Sequence, residues 1–159
     1  MNLLEGKKIV IIGGTTGMGL SAAKAFIANG ANVVIVGRHE DTVISAQQEV
    51  GEKGIALAGD AIDAGTAAHA IDVCLKTFNG FTGLYHVAGG SGRKMGDGPL
   101  HELTLEGWNA TMQMNLTSLM LSNRAAVKKF LELKSAGTIL NMSSVLGFSP
   151  SPKYFSTHA

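Results

Sequence analysis

A chain of 159 residues has room for one domain. Its 13 Lys+Arg against 12 Asp+Glu give no surplus charge to hold a polyanion, so no nucleic-acid partner is expected. The single cysteine, Cys74, excludes an intrachain disulfide and a cysteine zinc site, and no run approaches the roughly 20 apolar residues of a membrane span.

The opening MNLLEGKK lacks the apolar core of a signal peptide, so the chain reads as soluble, cytoplasmic and without membrane contact. Ile9, Val10, Ile11 and Ile12 then form a β-branched run, as a strand covered on both faces should. Gly13, Gly14, Gly17 and Gly19 follow at once, and Met18, Ala22, Ala23, Phe26 and Ile27 recur at helical spacing up to a C-cap glycine, Gly30. A strand that feeds a glycine turn into a helix aims backbone N–H groups and a positive helix end at one point, which suits a pyrophosphate. The spacing Gly13-x-x-x-Gly17-x-Gly19 is neither the common G-x-G-x-x-G fingerprint nor a P-loop, since Gly19 is followed by Leu20-Ser21. A glycine-rich connection without a ligand is the bland alternative.

Val33 to Val36 form a second buried strand, ending at Gly37-Arg38. The βαβ unit it closes has the usual size and should cross over right-handed. An acid at the end of this strand would bind the ribose 2′-hydroxyl of NAD, whereas an arginine would take the 2′-phosphate of NADP. Arg38 stands there, and the first acid, Glu40, falls where the next helix starts and serves its dipole. NADP is therefore preferred over NAD, against the alternative of a solvated Arg38 or one stacked on adenine.

Glu40 to Lys53 reads as a polar-faced helix with Val43, Ala46 and Val50 inward, and Ile55 to Gly59 as a third strand closed by Asp60. Asp60 is placed for an adenine contact or, equally, for a turn. Ala67, Ile71, Cys74, Leu75 and Phe78 mark the buried face of a third helix, with Cys74 as inert core and His69 on the solvated side. Leu84 to Val87 is the fourth strand, and the small residues Ala88-Gly89-Gly90 after it let a ligand approach. Strand order should reverse between the first and fourth strands, opening a ligand crevice at that switch point. The loop from Ser91 to Glu102 is polar and glycine-rich, placed to meet substrate, although a plain solvated loop suits its Arg93 and Lys94 as well.

Leu103 to Lys134 is expected to be mostly one long helix, with Trp108, Met112, Asn115, Leu116 and Leu119 on one broad face continued by Val127, Phe130 and Leu131. Such a helix has a second apolar stripe to offer a partner subunit. Asn115 is an amide amid Met and Leu. It either clamps backbone or serves chemistry. Thr138 to Leu140 begin the fifth strand, and Ser143-Ser144 at its carboxyl end either bind a substrate carbonyl or cap a turn. The whole is an α/β chain with a doubly wound parallel sheet of order 3-2-1-4-5. No His-x-x-x-His pair or carboxylate cluster suggests a metal.

Taken in order, these pieces resemble the short-chain dehydrogenase/reductase family of classical type: the glycine turn, Asp60 after strand three, Val87-Ala88-Gly89 after strand four, Asn115 in the long helix and Asn141-Met142-Ser143-Ser144 on strand five. The resemblance covers nearly the whole chain and implies a Rossmann-type fold. It implies an oxidoreductase that moves a hydride between NADP or NAD and a small-molecule alcohol or carbonyl substrate. In such enzymes a tyrosine transfers the hydroxyl proton, a lysine lowers that tyrosine's pKa, a serine orients the oxygen and an asparagine holds a water. By resemblance Ser144 is the serine and Asn115 the asparagine, and the cofactor contacts fall on Gly13, Thr15, Thr16, Gly17, Met18, Gly19, Arg38, Asp60, Ala61, Val87, Ala88 and Gly89. A homo-oligomer, dimer or tetramer, is also implied for the complete enzyme.

Two positions depart from the family. His86-Val87 replaces the usual pair of asparagines, so the side-chain contacts of the second amide are lost. Tyr154 stands ten positions after Ser144, nearer than the family's tyrosine, and its fourth follower is His158 rather than lysine. The simpler expectation is that the Tyr-x-x-x-Lys pair lies beyond residue 159. The family's fold carries further strands, and Thr138 to Met142 read as an interior strand, without Pro or charge. The 159 residues are accordingly expected to be an incomplete stretch, a nucleotide-binding domain over 1–159 of a longer single-domain enzyme. A non-catalytic dinucleotide-binding module, sensor or scaffold, is the alternative.

Overall fold

In the computed structural model, which describes residues 2–149 and 153, five parallel strands form one sheet in the order β3-β2-β1-β4-β5. The strands are β1 Lys8–Ile12, β2 Asn32–Gly37, β3 Gly54–Ala58, β4 Gly83–His86 and β5 Thr138–Asn141. The helices are α1 Gly17–Ala28, α2 Glu40–Val50, α3 Thr66–Phe78, α4 Leu105–Met112 and α5 Ser118–Glu132. The expected doubly wound order is the observed one. The central strands are apolar because both of their faces are covered. Ile11, Val33, Ile35, Ala23, Ala46 and Val50 pack on one side of the sheet, and Val10, Ile12, Val34, Val36, Ile71, Cys74 and Phe130 on the other. Cys74 lies in the core as expected, and burial pushes its thiol pKa up to about 12, which makes it inert.

The register fixes where the carboxyl ends meet. Ile12 lies beside Val36 on one flank and His86 on the other, and His86 lies beside Asn141. Beyond β1 the amides of Gly13 and Gly14 both bond to Val36 O, and beyond β4 those of Val87 and Ala88 both bond to Ile12 O, each at 2.9 Å. The two connections leave the sheet toward opposite faces, and the crevice opens between them.

The long helix departs from its expected form. It is continuous from Leu105 to Glu132 but carries a π turn at Gln113–Thr117. Its inward line is Gly107, Thr111, Ser118, Ser122, Ala126 and Phe130. Leu116, Val127 and Leu131, expected inward, are 59%, 47% and 72% exposed, with Met120 beside them on the open side, whereas Phe130 is buried as expected. Serines hold the inner face where the helix crosses His86, whose ring they hydrogen-bond, and Phe130 takes it over where the helix lies on Phe81. Met18 is likewise no core residue, being 63% exposed at the start of α1. β5 closes the sheet on one side, and Leu140 and Met142 are 52% and 39% exposed there.

Candidate functional site

Every residue expected at the cofactor lines one cavity of about 570 Å³ at the carboxyl edge of the sheet. That is within the range of small-molecule sites, about 300–1,000 Å³. Gly13, Thr15, Thr16, Gly17, Met18 and Gly19 form its floor, Arg38 one end, Asp60 and Ala61 the next wall, and Val87, Ala88 and Gly89 the side under β4.

The glycine turn works by close approach. Gly13 has φ +89° with Ala88 N where a Cβ would come within 2.6 Å, so only glycine fits between the two connections. Gly19 presses on the Gly13 carbonyl, which tucks the start of α1 against the end of β1. The sequence suggests free amides throughout this turn, but those of Gly13 and Gly14 are taken by Val36. The donors left for an anion are the first amides of α1. Thr16 precedes the helix in extended conformation and does not cap it with its side chain, so Gly17, Met18 and Gly19 face the cavity with the positive helix end.

Arg38 is exposed at the rim beside His39, and Gly37 lies against the Thr15 side chain. Glu40 and Asp41 occupy the first turn of α2, where their charge suits its dipole, as expected for Glu40. Asp60 Oδ1 accepts from Ile62 N at 3.2 Å, the turn geometry that was one of its two alternatives, while the residue also lines the cavity.

Asn115 and Ser144 do not line that cavity. Asn115 sits in the π turn and clamps the backbone of Gly90: its Oδ1 accepts from Gly90 N at 2.8 Å and its Nδ2 donates to Gly90 O at 3.0 Å. Ser144 is exposed three residues past the end of β5 and caps a short turn, its Oγ accepting from Leu146 N at 3.2 Å. Its hydroxyl proton remains to be given. Tyr154 and His158 lie outside the described residues.

His39, Thr42, Ile62, Met95, Ala110, Gln113 and Met114 also line the cavity and were not picked out from the sequence. His39 and Thr42 carry the pattern of a helix start, and Ala110, Gln113 and Met114 that of an ordinary helix. Only the placement of α4 across the crevice brings them in. Among the described residues no cluster of three or more His, Cys, Asp or Glu is placed to hold a metal, and no helix is long and apolar enough to cross a membrane.

A family model described as short chain dehydrogenase matches residues 7–156. The chain is 32% identical over 152 residues to a 2,5-dichloro-2,5-cyclohexadiene-1,4-diol dehydrogenase of Sphingobium indicum, with 94% of this chain and 59% of that protein covered. It is 30% identical over 151 residues to an NADP-dependent (R)-specific alcohol dehydrogenase of Lentilactobacillus kefiri, covering 94% of this chain and 58% of the relative. The chain thus spans less than two thirds of the length of these curated relatives, 59% and 58%. A crystal structure of a short chain dehydrogenase from Bacillus anthracis shares the fold, with a TM-score of 0.87 at 24% identity over 98% of this chain and 62% of that one.

Proposed function

The chain belongs to the short-chain dehydrogenase family, and from that premise we propose that it holds a nicotinamide dinucleotide in the cavity and serves an oxidoreductase acting on an alcohol or carbonyl. The observation that carries this reading is the convergence of the glycine turn, Arg38, Asp60 and Val87–Gly89 on one cavity. The fit is physical as well as positional. The first amides of α1 and its helix N-terminus face the cavity, and Gly13, where a Cβ would strike the Ala88 backbone, lets the connections after β1 and β4 meet closely at its floor. When bound, the nicotinamide gives or takes the hydride.

The protein's part is to bind and orient. The amides of Gly17 to Gly19 receive the pyrophosphate, Asp60 and Ala61 border the adenine, and Arg38 takes a 2′-phosphate, so NADP is favoured over NAD. The NADP-dependent relative supports that preference. Ser144 donates its remaining hydroxyl proton to the substrate oxygen, and Asn115 fixes the Gly90 backbone beside the site. Proton transfer falls to a tyrosine–lysine pair beyond residue 159, and residues 1–159 act as the nucleotide-binding part of one domain. A cytoplasmic homo-oligomer follows from the same reading, with exposed Leu116, Met120, Val127 and Leu131 of the long helix as the contact.

A second reading, binding without turnover, draws on Ser144 and Asn115 already being engaged in a turn cap and a backbone clamp. The deciding experiment is calorimetric titration of the chain with NADPH and NADH in parallel. NADPH should bind more tightly, and Arg38→Ala should weaken NADPH by about 10- to 100-fold, the value of charge-assisted hydrogen bonds, while leaving NADH nearly unchanged. Absence of binding by a sample that melts cooperatively would overturn the cofactor reading. NADP-linked turnover of any alcohol would dismiss the second reading.

A further inference from the structure

His86 ends β4 with 1% of its surface exposed, and nothing in the proposed chemistry uses it. Its Nδ1 lies 2.9 Å from Ser122 Oγ and its Nε2 3.3 Å from Ser118 Oγ, and both serines are buried in α5. Counting protons assigns the bonds. The Ser118 hydroxyl has one proton and gives it to the Met114 carbonyl at 2.6 Å, so Ser118 Oγ accepts from His86 Nε2–H. Burial pushes the imidazole pKa down, against a weaker backbone hydrogen bond at Ala88, so the ring is neutral and carries one N–H. The Ser122 hydroxyl has two acceptors in reach, the Ser118 carbonyl at 3.0 Å and His86 Nδ1 at 2.9 Å, and it serves Nδ1 because the other tautomer would set a bare Nε2 against the Ser118 Oγ lone pairs. The chain of donors therefore runs from Ser122 through His86 and Ser118 into the π turn.

The other side of that turn carries Asn115, which grips Gly90 N and O. The segment leaving β4 is thus stitched to the long helix at two points, His86 and Gly90. Between the two stitches lie Val87, Ala88 and Gly89, one wall of the cavity. A π turn widens the helix and loosens its own hydrogen bonds, so outside support decides how it sits.

We propose that His86 is a positioning residue: through Ser118 it sets the π turn that presents Asn115 to Gly90, and so holds the Val87–Gly89 wall. The consequence for ligand binding rests on the cofactor reading, whereas the coupling between His86 and Gly90 stands apart from it. The critical link is Nε2 to Ser118. A glutamine at position 86 carries an N–H donor that reaches as far as Nε2, whereas an asparagine reaches only as far as Nδ1 and Ser122.

The test is amide hydrogen exchange of the chain without cofactor, together with a ¹⁵N spectrum of the histidine rings. In the wild type, Gly90 N–H should be protected by its bond to Asn115 and His86 should be the neutral Nε2–H tautomer. Ser118→Ala and His86→Asn should speed exchange at Gly90 by about tenfold, the value of one ordinary hydrogen bond, with buried Ile11 and Val34 unchanged. His86→Gln should restore protection to within about threefold of wild type. Unchanged exchange at Gly90 in Ser118→Ala, equal acceleration at Ile11 and Val34, or an Nδ1–H tautomer would each overturn the proposal. Parallel NADPH titrations should weaken in Ser118→Ala and recover in His86→Gln. A wild type that binds no NADPH would count against the cofactor reading and leave the exchange result standing.

Discussion

Replacing Gly19 with alanine sets two effects of opposite sign against each other. Gly19 lies in the first turn of α1, and alanine is favoured over glycine in a helix by up to about 1 kcal/mol. Helix preference alone therefore has Gly19→Ala raise stability. The added Cβ, however, would overlap the Gly13 carbonyl oxygen and lie 2.9 Å from Gly14 Cα. Those atoms have no room to withdraw. The Gly13 and Gly14 amides are each bonded to Val36 O at 2.9 Å, a Cβ placed on Gly14 would be 2.7 Å from Ile35 Cβ, and Gly13 is already close-packed on Ala88. Overpacking costs about 1–3 kcal/mol, and the upper end applies because the obstacle is backbone rather than a side chain that can turn. The net loss is then about 2 kcal/mol, or a fall in Tm of about 4–8 °C for a chain of this size. Thermal melts followed by circular dichroism read this directly. Gly65→Ala is the control: its φ is −88°, a Cβ there meets nothing within 4 Å, and the change should leave Tm equal or slightly higher. A Gly19→Ala protein that melts at or above the wild type would refute the close-approach argument for the whole glycine turn.

Phe130 is stacked on Phe81 with ring centres 4.7 Å apart and Gly137 against its ring, so Phe130→Ala should cost about 3–5 kcal/mol and lower Tm by about 6–20 °C. A drop of only a few degrees would mean that α5 repacks freely on the sheet. His86 is held neutral by burial, so its folded pKa is below its unfolded value of 6.5 and the unfolded chain binds the extra proton. Its stabilising share is therefore full above the unfolded pKa and is lost as pH falls below it toward the folded value. Melts between about pH 7 and pH 5 should show Tm falling with acid more steeply in the wild type than in His86→Gln. Equal slopes would show that His86 does not titrate differently in the two states.

The sheet was legible strand by strand, to within a residue at the ends of β3 and β4, because its signals are local. Ile9–Ile12 and Val33–Val36 are β-branched runs between glycine-bearing turns, and such runs are buried on both faces wherever helices flank a parallel sheet. The cavity floor was legible for a related reason. A glycine required by close approach leaves a mark in the chain itself, as Gly13 and Gly19 do. The long helix was legible only in outline. Of its large apolar residues Phe130 does face inward, but the rest of the inner line is Thr111, Ser118, Ser122 and Ala126, with Ser118 and Ser122 drawn in by their bonds to His86. Asn115 stood out as an amide among apolar neighbours, but the π turn that carries it left no such mark.

The sequence by itself therefore determined the element order, the strand order and the glycine turn at the floor of the cavity, since each depends on short-range sterics and on the period of apolar residues. Only the tertiary structure decided which atoms remain available. It assigned the Gly13 and Gly14 amides to Val36, turned Asn115 onto Gly90, brought Met95, Gln113 and Met114 across the crevice, and buried His86 between two serines. Each of these depends on how close two distant segments come, and a hydrogen-bond partner or a cavity wall supplied from across the fold has no local pattern to announce it.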